Sequence, residues 1–140
     1  MRTPGSYFIL LLIGITSCKR SFVAIDYGKK PCDYCKMTIS DPRYAAEMID
    51  KKGKVFMFDD IACLKGYLED DSIPDKDIEV FVADFDHRGG DFLDAHKAIY
   101  LHHEYFHSPM HGHKGAFSSQ QEAKHLSDSL SVPMIQWKDF

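Results

Sequence analysis

Apolar and polar positions change their period along the chain in a way that marks out elements. Residues 44–50 alternate, with Tyr44, Ala46 and Met48 on one face, as in a half-buried strand. Lys51-Lys52-Gly53-Lys54 reads as a hairpin turn, and residues 55–58 as a second strand. Asp59 or Asp60 is placed to cap a helix over 61–69, whose apolar stripe is Ile61, Leu64 and Leu68. After a break at Ser72-Ile73-Pro74-Asp75, residues 78–85 are rich in β-branched and aromatic side chains and form a third strand.

The same order returns after a linker over 86–91. Residues 95–101 are strand-like, a His/Pro/Met/Gly loop follows, and 114–117 form a short strand. Ser119 with Glu122 three positions later fits a capping box for a helix over 120–129, with Ala123, Leu126 and Leu130 inward. Residues 132–137 close the pattern as a last strand. Phe58-Asp59-Asp60 before the first helix parallels Phe117-Ser118-Ser119 before the second. The expectation is an α+β fold of two tandem ββαβ units, over 31–86 and 91–140.

The start of the chain has another character. Arg2 is followed by an apolar run over 7–15, too short to span a bilayer and suited to a secretory signal. It ends in Ile15-Thr16-Ser17-Cys18, which resembles a bacterial lipobox. On that reading residues 1–17 are a signal peptide, Cys18 carries the lipid, and residues 18–30 are a tether. Stable anchoring takes two or more acyl chains. Lys19 does not resemble the acidic signal that retains lipoproteins in the inner membrane. The protein is expected in the cell envelope, facing the periplasm from the outer membrane. A formal net charge of −4 argues against a nucleic-acid partner.

The chemistry gathers in Lys30-Pro31-Cys32-Asp33-Tyr34-Cys35-Lys36-Met37. A Cys-x-x-Cys pair alone suits a zinc half-site, a redox pair or a disulfide. The thioether of Met37, two positions on, shifts the balance, because thiolates and thioethers together favour Cu(I). Zinc sites take Cys, His and carboxylates and normally leave Met aside. Cys63, beside Leu64 in the first helix, reads as a packing thiol. A ligand role requires the helix N-terminus to face the Cys32–Cys35 loop, where its positive end would lower a thiol pKa. In the second half, His111 and His113 crowd around Met110 and offer imidazole donors. No Ser-His-Asp arrangement, phosphate loop or dinucleotide fingerprint is present.

The lipobox, Cys32-x-x-Cys35-x-Met37, Tyr44-Ala45-Ala46, Phe58-Asp59-Asp60-Ile61-x-Cys63-Leu64, Ser108-Pro109-Met110 and Ala116-Phe117 together resemble the NosL family. That resemblance implies two homologous ββαβ units related to the organomercurial lyase MerB. It implies a copper-binding lipoprotein, not an enzyme, that delivers Cu(I) to apo-nitrous-oxide reductase or another cuproprotein. Carried over by position, Cys35 and Met37 are the first ligands, with Cys32 beside them and Met110 from the second half. The chain departs from the family at Lys36, where Gly is frequent, and at His111 and His113, where small residues are expected. The expected site is low-coordinate and open to solvent, so that incoming ligands can replace its own one at a time. The competing readings are a thiol-disulfide oxidoreductase using Cys32 and Cys35, a zinc-binding surface lipoprotein, and an organomercurial-lyase relative with Asp33 or Asp59 as its acid.

Overall fold

The computed structural model describes residues 21–87 and 90–139. The signal segment and Cys18 lie outside the described residues. The fold is α+β. A four-stranded antiparallel sheet has the order β2-β1-β3-β4, built from β1 (Ala46–Asp50), β2 (Val55–Phe58), β3 (Ile78–Ala83) and β4 (Phe92–Asp94). A hairpin of β5 (Ile99–His102) and β6 (Lys114–Phe117) forms a second sheet. Helix α1 (Ile61–Asp70) follows β2, and α2 (Gln120–Leu130) follows β6. Among the described residues no helix is long and apolar enough to cross a membrane.

Register explains which side chains face α1. Met48 stands opposite Phe56 and Val80, and Ala46 opposite Phe58 and Val82. Opposed residues share one face of a sheet. The Tyr67 ring of α1 lies 5.3 Å from Phe56 and 5.4 Å from Phe58, so this is the helix-covered face. Ile61, Leu64 and Leu68 of α1 are buried against it, at the predicted helical spacing.

The opposite face carries Glu47, beside Met57 and Phe81. The N-terminal segment covers it. The Val23 N–H donates to both Glu47 oxygens, at 2.9 and 3.1 Å, Ile25 enters the core, and Phe22 stacks on Phe92 at 4.8 Å.

In the second half α2 covers the β5–β6 hairpin, and Ala123 is buried in a small core with Tyr44, Leu101, Phe106 and Phe117. The two sheets meet where Asp84 bridges Ala116 in parallel and the Phe85 N–H donates to the Ala116 carbonyl at 2.8 Å. Tyr100 and Ile135 exchange both backbone hydrogen bonds at 2.9 Å.

Three elements differ from the pattern reading. The strand expected over 95–101 begins at Ile99, because the Asp94 carbonyl accepts from the Lys97 and Ala98 N–H groups and closes a turn. Residues 92–94, between the expected linker and the expected strand, supply β4, which pairs with β3. The strand expected over 132–137 is a single bridge at Ile135, followed by a 3-10 turn over Trp137–Asp139. Pro133 has no N–H to give a ladder, and the Asp139 carboxylate draws the Gln136 N–H at 2.8 Å into that turn.

Candidate metal centre

Residues 31–38 close on themselves as a knuckle. Pro31 and Thr38 form an antiparallel bridge, the Cys32 N–H donates to the Met37 carbonyl at 2.7 Å, and the Lys36 N–H returns to the Cys32 carbonyl at 3.1 Å. Asp33 seats this knuckle on the edge of β2. Its N–H donates to the Met57 carbonyl at 2.8 Å and its carboxylate accepts the Met57 N–H at 2.7 Å. Tyr34 ties the other side to α1, donating its hydroxyl to Asp70 at 2.9 Å while its ring lies over Gly66.

This seating brings the knuckle to the N-terminal end of α1. The Sγ atoms of Cys32, Cys35 and Cys63 and a carboxylate oxygen of Asp59 all lie within 4.8 Å of one another. Four donors around one metal at bonds of about 2.3 Å stand roughly 3.8 Å apart, so a small contraction closes the site. Cys32, Asp59 and Cys63 are buried, and Cys35 is half-buried, so the cluster meets solvent on the Cys35 side. The site is thus more enclosed than the open, low-coordinate arrangement expected from the sequence.

Electrostatics within the cluster favour one thiolate at rest. The Cys63 thiol donates to Cys32 and, with backbone N–H groups of Asp59, Cys35 and Tyr34, holds the Cys32 pKa down to about 6 against the effect of burial. Cys63 is pushed far up by that same bond, by burial and by the Asp59 carboxylate. Burial also raises Cys35, whose thiol donates to Asp59 Oδ1 at 3.5 Å. The other oxygen, Asp59 Oδ2, is buried without a hydrogen-bond partner. An orphaned carboxylate oxygen among three thiols lacks a positive charge, and a thiophilic cation supplies one.

The predicted donors divide into two sets. Cys32 and Cys35 are in the cluster; Met37 and Met110 lie at the surface, 48% and 39% exposed. His111 and His113 are outside the cluster, their rings 5.7 Å apart. The His113 Nδ1 lies 3.1 Å from the Phe106 carbonyl. A carbonyl only accepts, so Nδ1 carries the proton and Nε2 presents a lone pair. Cys63 meets the stated condition for a ligand, since its helix does face the loop. Asp59 as a donor was the residue sequence reasoning missed. The sequence nominates it as a helix cap and, on the organomercurial-lyase reading, as the acid beside the thiols, but not as a metal donor. Cys32 and Cys35 lie in a turn rather than at a helix start, unlike a thioredoxin-type pair.

An α+β protein with a largely buried cluster of three thiols and a carboxylate that could hold a metal ion is the class that this fold and site define. The family model described as NosL matches residues 23–136, and the chain belongs to the NosL family. Among solved structures, the crystal structure of the copper chaperone NosL from Shewanella denitrificans is similar. It shows 22% identity and a TM-score of 0.76 over 87% of this chain and 96% of that one. A search of curated proteins finds no match.

Proposed function

We propose that the protein is a Cu(I) metallochaperone without turnover. The observation that carries this reading is the meeting of Cys32, Cys35 and Cys63 around the unpartnered Asp59 oxygen, with two exposed thioethers in neighbouring loops. Thiolates and thioethers select Cu(I). The ion enters past Met37 and Cys35 and settles among the buried thiols. It leaves by the same side when a partner's ligands replace them. Met110, with His111 and His113 behind it, offers donors from the second half.

The wider reading follows the same chemistry. Cys18 carries the lipid, the site faces the periplasm from the outer membrane, and the recipient is apo-nitrous-oxide reductase or another cuproprotein. The copper-chaperone description of the Shewanella relative supports the cargo.

An anaerobic competition titration of the reduced, detergent-solubilised protein against a chromophoric Cu(I) chelator tests this. One tight site is expected. Cys35→Ser and Cys63→Ser should each weaken it by more than the roughly 10- to 100-fold typical of an outer-shell partner. Affinity should rise with pH across the neutral range, because copper must displace the protons that Cys35 and Cys63 hold at rest. Copper held equally by both variants would overturn the assignment. A zinc ion is the second reading, favoured by the Asp59 carboxylate, a harder donor that suits zinc. Zinc held by the cysteines, with copper bound only through the histidines, would put that reading first.

A further inference from the structure

Asp60 stands next to Asp59 but is not among the clustered donors. It is buried, and its two oxygens serve two halves of the molecule. Oδ1 accepts the Ala62 N–H at 2.8 Å and caps α1, the helix that carries Cys63. Oδ2 accepts the Met110 N–H at 2.9 Å and the Gly112 N–H at 3.4 Å, across 50 and 52 residues of sequence. The loop can approach this closely only because residue 112 is glycine. A Cβ there would lie 2.5 Å from Asp60 Oδ1 and 2.9 Å from the Ala62 Cβ.

We infer that Asp60 is a positioning residue. It latches the Met110 loop to the end of α1, so that the Met110 thioether is presented to the copper held by the neighbouring cysteines. This rests on the proposed copper site and extends it. An ordinary N-cap needs one oxygen, and asparagine, serine or threonine would serve. The second oxygen is committed to the backbone of the methionine loop, and capping does not require that. Buried charge-assisted hydrogen bonds of this kind fix geometry strongly. The loop backbone is set by Asp60, and the flexible thioether covers the remaining distance.

Asp60→Asn separates the two roles. Its amide oxygen still caps α1, but its NH2 is a donor and cannot accept from Met110 or Gly112. Gly112→Ala attacks the same contact from the loop side and leaves Asp60 intact. Both variants, Met110→Ala, and each latch variant combined with Met110→Ala would be titrated with Cu(I), using the full chain in detergent.

The expected result is that Asp60→Asn and Gly112→Ala each weaken Cu(I) binding as much as Met110→Ala, about tenfold. Adding Met110→Ala to either should then cost nothing further, because the thioether is already lost. Copper X-ray absorption should show one sulfur fewer in each latch variant. If Asp60→Asn does not fold, Gly112→Ala carries the same test. Native affinity and native sulfur count in the variants would overturn the latch and leave the copper site standing, as would additive losses. Absence of tight Cu(I) on the native protein would overturn both.

Discussion

Lys36 stands between the second thiol and the thioether with a φ of 68°, in the left-handed region. A side chain there costs about 1–2 kcal/mol, set against roughly 0.5–1 kcal/mol of extra chain freedom that glycine loses on folding. Lys36→Gly is therefore expected to stabilise the protein by about 0.5–1 kcal/mol in urea unfolding, with Cu(I) affinity unchanged. A loss of stability would show that the contact of the Lys36 amino group with the Asp33 carbonyl outweighs the backbone strain. His111 and His113 share the conformation, at φ 57° and 50°. They are held there by the His111 N–H to the Ser108 carbonyl and the His113 N–H to the Ser108 hydroxyl. Strain held by surrounding bonds is common where a loop must present a side chain. At this scale the sequence is legible for Cys32 and Cys35, which the structure brings into one cluster. The orphaned oxygen of Asp59 is not, because only the assembled pocket removes its water.

Elements were legible where local chemistry decides them. The residue before each helix caps it: Asp60 bonds the Ala62 N–H, and Ser119 bonds the Glu122 N–H at 3.3 Å. The stripe of Ile61, Leu64 and Leu68 gave the buried face of α1. Periodicity says which face is buried and not what it meets, so Cys63 read as packing. What it meets is set by the Asp33–Met57 ladder, which spans 24 residues and has no signature in a single stretch. The errors in the second half have the same origin. Asp94 and Asp139 divert backbone donors into turns at places where the apolar pattern favours strand. The connectivity still repeats. In each half a hairpin is followed by a helix, and the chain then returns to pair with the hairpin's first strand, β3 on β1 and Ile135 on β5.

At the scale of the whole molecule, the segment that leads from the N-terminus into the knuckle is also the cover of the sheet's second face. Alternation placed Glu47 on the polar side of its strand, and the strap buries it completely. Burial raises its pKa to about 7, partly offset by the Val23 N–H. The unfolded chain releases this proton near pH 4.5 and the folded one near 7. The folded state therefore binds more protons in that window, and stability falls as pH rises through it, by an amount on the order of 3 kcal/mol. Glu47→Gln removes this loss and keeps an acceptor for Val23. Its thermal midpoint should exceed the native one at pH 8, with the difference shrinking to nothing by pH 4. A difference independent of pH would show that Glu47 is not buried as a charge. The two halves share a core, in which Tyr100, Ala116 and Trp137 are buried with Phe58, Leu64 and Val82. Their links include the Asp84–Ala116 bridge and the Asp60 bonds to the methionine loop, and Asp60 adjoins Asp59 of the thiol cluster.

Copper X-ray absorption on the Cu(I)-loaded protein decides between the cysteine cluster and the histidine loop, because it counts the atoms around the metal. A shell dominated by sulfur that loses one scatterer in Cys63→Ser is the expected result. A shell of imidazole nitrogen, unchanged by Cys63→Ser, would place the copper in the histidine loop and contradict the cysteine pocket as its site.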